Sequence, residues 1–257
     1  ITPTTLSGRG APGSQLPYVH TIRNNGNIAA TFTLAGSTDL GPAWVTEVLS
    51  GELTLPPTQT ITLKPGKEVT VTLLVTVPQL GTGVQEGTVA RSRLRITTTN
   101  PVDPSQNQEV TDTTTVSLVM QASMVADQEV DGAAGVVTTI PHRVTNLSNG
   151  QATFRLGYSS SLDSTVTFRS ATNGVPLNVT NNSFTLGTQP DGSPPSEFDF
   201  FADVHVHPSL LPGQRESIII FLLDAEGNVI GNAFVRDTIN VTRGTVAPRI
   251  YLPLTMR

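Results

Sequence analysis

The stretch HTIRNNGNIAATFTL at residues 20–34 returns as HRVTNLSNGQATFRL at residues 142–156. A shift of 122 positions lays His20 on His142, Asn24 on Asn146, Asn27 on Asn149, Ala30-Thr31-Phe32 on Ala152-Thr153-Phe154, and Leu34 on Leu156. The Asn-rich centre suits a turn, because Asn tolerates positive φ and bonds its own backbone. The flanks are short and rich in Thr, Phe and Val, as strands are. The pattern therefore predicts a hairpin of Tyr18–Arg23 with Ala29–Leu34, made twice. A second block, Leu-Lys-Pro-Gly at 63–66, meets Leu-Leu-Pro-Gly at 210–213, each followed by an apolar run. A third lays Val110, Asp112, Thr113 and Val116 on Val235, Asp237, Thr238 and Val241. The three blocks keep one order, so the chain reads as two copies of a module. The changing shift places extra residues in 157–209 of the second copy and in 79–109 of the first.

About seven short strands per copy, with turn residues between them, is the pattern of an immunoglobulin-like sandwich. Arg91–Thr99 alternates polar and apolar, Thr60–Leu63 and Lys67–Val77 flank Pro65-Gly66, and Asp224–Asn228 reads as a hairpin loop. No window holds a 3.6-residue period over three turns. The fold class expected is all-β: two tandem immunoglobulin-like β-sandwich domains from an internal duplication. The divisions are an N-terminal segment at 1–15, domains at 16–122 and 123–246, and a tail at 247–257. Trp44, Phe32, Phe154 and Phe221 are the expected core anchors, and His20 and His142 are expected to serve packing.

Composition narrows the function. The chain has 257 residues, enough for two cores, and 14% of them are charged, with a net charge of −5. That argues against nucleic acid, which needs a basic field. Of the 15 basic residues only Lys64 and Lys67 are lysine, and cysteine is absent. Disulfides, thiolate metal sites and cysteine nucleophiles are excluded. The longest apolar run, residues 218–223, is six residues against the ~20 of a membrane helix, so no membrane insertion is expected. With 38 threonines and two lysines, an exported, cell-surface protein is preferred.

Three cues in the first copy carry a family resemblance: Asn24-Asn25-Gly26-Asn27 before its strand, Pro42-Ala43-Trp44-Val45, and Leu63-Lys64-Pro65-Gly66-Lys67-Glu68-Val69-Thr70-Val71-Thr72. Together they resemble bacterial Ig-like domains of the type associated with alpha-galactosidases and NPCBM modules in extracellular surface proteins. The resemblance implies an accessory, spacer or adhesive module with no catalytic residues.

Chemistry-bearing patterns are few. Asp203-Val204-His205-Val206-His207 would, on a strand, present Asp203, His205 and His207 on one face, a set able to bind zinc. Asp127/Glu129/Asp131 and Asp224/Glu226/Asn228 form acidic turns able to offer oxygens to calcium. Glu47, Glu52, Glu197 and Asp199 have no spacing that pairs them. Nucleophile and phosphate-loop motifs are absent. No cofactor and no enzymatic activity are expected. The preferred function is a structural subunit of a surface filament or layer. Copies of itself are the partner, and a terminal segment adds as a strand to the next subunit. The donor residues are Ile1, Thr2, Thr4 and Leu6 at one end, or Ile250, Tyr251, Leu252 and Leu254 at the other. The alternative is a carbohydrate-binding or spacer module, with a surface glycan as partner and Tyr18, Tyr158 and Tyr251 as stacking residues.

Overall fold

The computed structural model describes residues 1–50, 53–54, 58–98, 107–177, 182–187 and 196–243, with backbone alone at 53, 54 and 58. All regular structure among them is strand, in two compact units, Ile1–Val119 and Met120–Arg257.

Among the described residues the first unit holds nine strands: β1 (Ser7–Gly10), β2 (Gln15–Arg23), β3 (Ala30–Thr38), β4 (Val45–Ser50), β5 (Leu53–Thr54), β6 (Thr58–Leu63), β7 (Glu68–Thr76), β8 (Val89–Thr98) and β9 (Gln108–Val116). They make two sheets, ordered β1-β9-β8-β3-β6 and β2-β7-β4-β5. The second unit has β10 (Ala122–Val125), β11 (Glu129–Ala133), β12 (Val137–Asn146), β13 (Ala152–Ser160), β14 (Thr165–Ser170), β15 (Ser183–Leu186), β16 (Glu197–His205), β17 (Arg215–Leu223) and β18 (Val229–Thr242). Its sheets run β11-β18-β17-β13-β15 and β10-β12-β16-β14. Each unit is thus a sandwich in which β1-β9-β8-β3-β6 matches β11-β18-β17-β13-β15 and β2-β7-β4 matches β12-β16-β14, while β5 and β10 have no counterpart among the described strands. One parallel pair per unit, β1 with β9 and β11 with β18, joins the leading segment to the last strand. This is an immunoglobulin-like architecture with one departure. The strand after β3 crosses to the opposite sheet before the chain returns as β6 beside β3, and β13, β14 and β15 do the same.

Two expectations are corrected. Residues 18–34 are not a hairpin: β2 pairs with β7, and β3 pairs with β6 and β8, so the Asn-rich turn crosses between sheets. The reason lies in burial. Each strand buries one alternating set, Tyr18, His20 and Ile22 on β2 and Phe32 and Leu34 on β3, and the two sets meet from opposite sheets. The Pro-Gly match also aligned the wrong strands. β7, after Pro65-Gly66, pairs with the His20 strand, whereas β17, after Pro212-Gly213, lies between β18 and β13 in the other sheet. Both turns need a left-handed glycine, with φ of 72° at Gly66 and 90° at Gly213. Similar turn chemistry at non-equivalent places produced the match. By register, Val71 stands opposite His20 and Phe200 opposite His142, an offset of 129 positions. Ile96 opposite Leu34 and Leu222 opposite Leu156 give 126. The large insertions expected at 157–209 and 79–109 disappear.

Each unit has its own core. Leu34, Leu73, Val71, Val75 and Leu94 are among the residues that fill the first, and the expected anchors Trp44 and Phe32 belong to the same buried cluster. Phe154, Phe200, Ile140, Ile218, Ile220 and Leu222 are central to the second. Phe221, expected in the core, is half-buried on the outer face, and its ring covers Gly157. On β17 every second residue faces in, and Ile218, Ile220 and Leu222 take that phase.

Candidate functional site

A buried histidine–aspartate pair crosses between the sheets of each unit. In the first, His20 on β2 reaches Asp112 on β9, with 2.7 Å between Nε2 and Oδ2 and both side chains shut off from solvent. In the second, His142 on β12 meets Asp237 on β18 at 2.9 Å. Both pairs serve the segment that leads into the unit. Asp112 Oδ1 accepts the Leu6 N–H at 2.8 Å, and His20 Nδ1 donates to the Pro3 carbonyl at 3.0 Å. Asp237 Oδ1 accepts the Gln128 N–H at 3.2 Å, and the Gln128 side chain donates to the Pro141 carbonyl. A carbonyl only accepts, so His20 Nδ1 carries a proton, and both ring nitrogens of His20 are engaged. His142 Nδ1 has no hydrogen-bond partner among the described residues.

The leading segment itself lies along both sheets of its unit. Thr2 and Thr21 exchange backbone hydrogen bonds of 3.0 and 2.7 Å, after which residues 7–10 run parallel to β9. Ile1 donates its amino group to Gln108 Oε1 at 2.8 Å, Ile1 and Leu6 pack against the core, and Thr4 is exposed. In the second unit residues 122–125 pair with β12 before residues 129–133 join β18. The segment that holds Ile1, Thr2, Thr4 and Leu6 therefore fills a place in its own sandwich. Ile250, Tyr251, Leu252 and Leu254 lie outside the described residues.

The asparagines of the repeat have one structural duty. Asn24 donates to the carbonyls of Ile28 and Leu63, at 2.9 and 2.8 Å, and accepts from Gly26 N–H. Asn146 donates to Gly150 and Gly187 and accepts from Ser148 N–H. Each ties the crossing turn to the end of a neighbouring strand.

The structure does not bring Asp203, His205 and His207 together as a ligand set. Val204 and Val206 are buried and Asp203 faces outward, as alternation requires. Yet Asp203 is held by Arg169 at 2.6 Å and by the Thr139 hydroxyl at 2.6 Å, and His207 Nδ1 bonds the Ser209 hydroxyl at 2.7 Å beyond the strand end. His205 is exposed at the end of β16. Among the described residues no three His, Asp or Glu side chains are placed to share an ion. The acidic turns are committed too. Asp127 accepts Arg236 N–H, Glu129 pairs with Arg215 at 2.7 Å, and Asp224 accepts from Asn228. The bonds from Asn228 hold the Asp224 carboxyl below its usual range. Glu197 and Asp199 both bind Arg143, which raises the guanidinium further.

Of the three expected stacking residues, Tyr158 is exposed and Tyr251 lies outside the described residues. Tyr18 is buried, and its hydroxyl bonds the Thr113 carbonyl and Thr114 Oγ1. Burial pushes its hydroxyl above the usual range, the Thr114 bond opposes this, and Asp112 adds to it. Tyr158 lies edge-on to Phe168 at 6.3 Å.

Sequence reasoning missed Glu216. It is fully buried, and Oε1 accepts from Ser160 Oγ, Ser161 N, Ser161 Oγ and Leu162 N, while Oε2 accepts from Ser164 Oγ. The one available signal was a glutamate in phase with Ile218, Ile220 and Leu222 opposite a serine-rich loop.

No protein-family model matches this chain, and no curated protein matches it. Solved structures do. "BspA_C_WT" covers 93% of this chain and 96% of its own at 8% identity and a TM-score of 0.31. The Streptococcus agalactiae AgI/II polypeptide BspA C-terminal domain gives the same coverage at 8% and 0.30. The calcium-binding domain CBD12 of CALX1.1 covers 86% and 77% at 9% and 0.30. None of these is a module of the alpha-galactosidase-associated type. The strand order, rather than these likenesses, gives the fold of this chain: two all-β, immunoglobulin-like sandwiches.

Proposed function

We propose that the chain is a non-enzymatic structural module of a bacterial cell surface, and that copies join by exchange of the leading strand. One observation carries this reading. Residues 1–10 are held by backbone bonds to both sheets of the first unit and by a buried polar pair dedicated to them. A neighbour's segment of identical sequence would find the same partners: the Thr21 backbone, Asp112 Oδ1, His20 Nδ1 and the β9 edge. A head-to-tail exchange of this kind propagates rather than closes. The donor leaves its own unit first, so assembly is an exchange and not the filling of a vacant edge.

The test is electron microscopy and sedimentation of the full chain beside a variant lacking residues 1–6. Assembly of the full chain and its loss in the variant are expected. Assembly that survives the deletion, or a full chain that stays as separate particles at millimolar concentration, overturns strand exchange.

A further inference from the structure

The outer face of the first unit's five-stranded sheet gathers four arginines. Arg91, Arg93 and Arg95 alternate along β8 and are all exposed. Successive members stand about 7 Å apart, the two-residue repeat of a strand. Arg9 on β1 shares the face. It lies opposite Thr115, which lies opposite Val89, one two-residue step beyond Arg91 and two strands over, roughly 10 Å sideways. The neighbours across the ladders are short except Glu109, which stands opposite Arg95. Thr113 and Thr111 lie beside Arg91 and Arg93, and Ser37 and Ala35 beside Arg93 and Arg95. Guanidinium groups on such a lawn stand clear of it.

Two carboxylates share the face. Asp39, about three-quarters buried, accepts the Arg91 N–H at 2.8 Å and lies 3.7 Å from its guanidinium, while Glu109 approaches Arg93 at 3.4 Å with both side chains about half exposed. An exposed pair such as Arg93–Glu109 contributes about 0–1 kcal/mol and yields readily to a better anion. Among the described residues no carboxylate pairs with Arg9 or Arg95. The face thus carries a surplus of positive charge on a chain whose net charge is −5. The fold does not require it. At the register-matched places of the second unit stand Ser217, Ile219 and Phe221, aligned by the pairing of Ser159 with Ile219 and Gly157 with Phe221.

We propose that this face binds an extended anionic polysaccharide, one bearing carboxylate or sulfate groups along its length. Arginine presents a planar fork that matches a carboxylate or a sulfate with two parallel hydrogen bonds. The threonine and serine hydroxyls between the forks suit sugar hydroxyls. A flat row of spaced cations fits a polymer that lies along β8 better than a compact ligand. This proposal does not depend on strand exchange, and either can fail without the other.

The experiment measures binding of the full chain to dextran sulfate, to polygalacturonate and to neutral dextran at low and moderate salt. Binding to one or both charged polymers, weakened by salt and absent with neutral dextran, is expected. Which charged polymer binds separates sulfate from carboxylate. The triple variant Arg91→Gln/Arg93→Gln/Arg95→Gln should bind about tenfold more weakly or worse, with an unchanged unfolding midpoint. Arg215→Gln, in the other unit, should bind as the parent does. The proposal is overturned by no binding to either charged polymer at low salt, by equal binding to neutral dextran, or by full binding in the triple variant. Self-association lost in the triple variant without any polymer binding would assign the face to a second copy instead.

Discussion

His20 and Asp112 are 92 positions apart in sequence and 2.7 Å apart in space, and the contact closes the gap through which the leading segment passes from one sheet to the other. Taking away one member leaves the other buried with an unmet polar atom. Asp112→Ala strips both His20 and the Leu6 N–H of their acceptor and should cost about 3–5 kcal/mol of the first unit's stability. Urea unfolding of the single variants His20→Leu and Asp112→Leu and of the double variant should give a double-variant cost well below the sum, because the pair's desolvation is then removed whole. Additive costs would mean the pair does not act as a unit. Glu216 follows the same logic with more partners. Glu216→Ala should lower the second unit's stability by about 3–5 kcal/mol, and Glu216→Gln by less, since the amide keeps one acceptor oxygen for the Ser160–Leu162 donors. Tyr18 supplies a pH dependence. Its hydroxyl titrates above the ordinary 10.0 in the folded chain, chiefly through burial. Stability from this group is complete below the unfolded value and is lost as pH rises through the folded one. Urea midpoints measured from pH 8 upward should fall more steeply in the parent than in Tyr18→Phe.

Strand phase explains both what the sequence revealed and what it hid. The alternation in Arg91–Thr98 and the turn at Asp224–Asn228 could be read directly, because both are local: β8 faces in at Leu94 and Ile96, and β17 pairs with β18 across the loop. The histidine match pointed to a packing role, yet the third block already contained Asp112 and Asp237. That the two matched sets meet is a fact of topology, which no local pattern carries. The same limit produced the false hairpin, since an Asn-Gly turn between two apolar strands does not say whether the second strand pairs beside the first or crosses above it. The apolar run at 218–223 hid its phase because both faces are apolar. Phe221 lies on the outer side, where Gly157 leaves room for its ring. A Cβ at position 157 would collide with that ring, so Gly157→Ala should cost about 1–3 kcal/mol, as overpacking does. Phe221→Leu in the same chain should recover part of the loss, measured as the thermal midpoint. For the metal candidates the phase was legible and the partners were not: Asp203 faces outward as expected, and Arg169 and Thr139 hold it.

Two cores with no residue in common lead us to expect two cooperative systems. The first draws on Leu73, Val71 and Leu94, and the second on a run of phenylalanines in which Phe184 and Phe198 stack at 4.4 Å and Phe198 continues to Phe200 at 6.2 Å. Each unit also has its own crossing latch, His20–Asp112 or His142–Asp237. A single unfolding free energy is therefore not the right quantity for this chain. Calorimetry of the full chain should need two transitions. Asp112→Ala should lower one of them and leave the other in place, while Asp237→Ala should lower the second alone. A core truncation gives an independent assignment: Leu73→Ala, fully buried in the first unit, should cost about 2–5 kcal/mol and move the same transition as Asp112→Ala. If all three variants shift both transitions together, the units unfold as one body, and the two latches stabilise a common structure rather than one unit each.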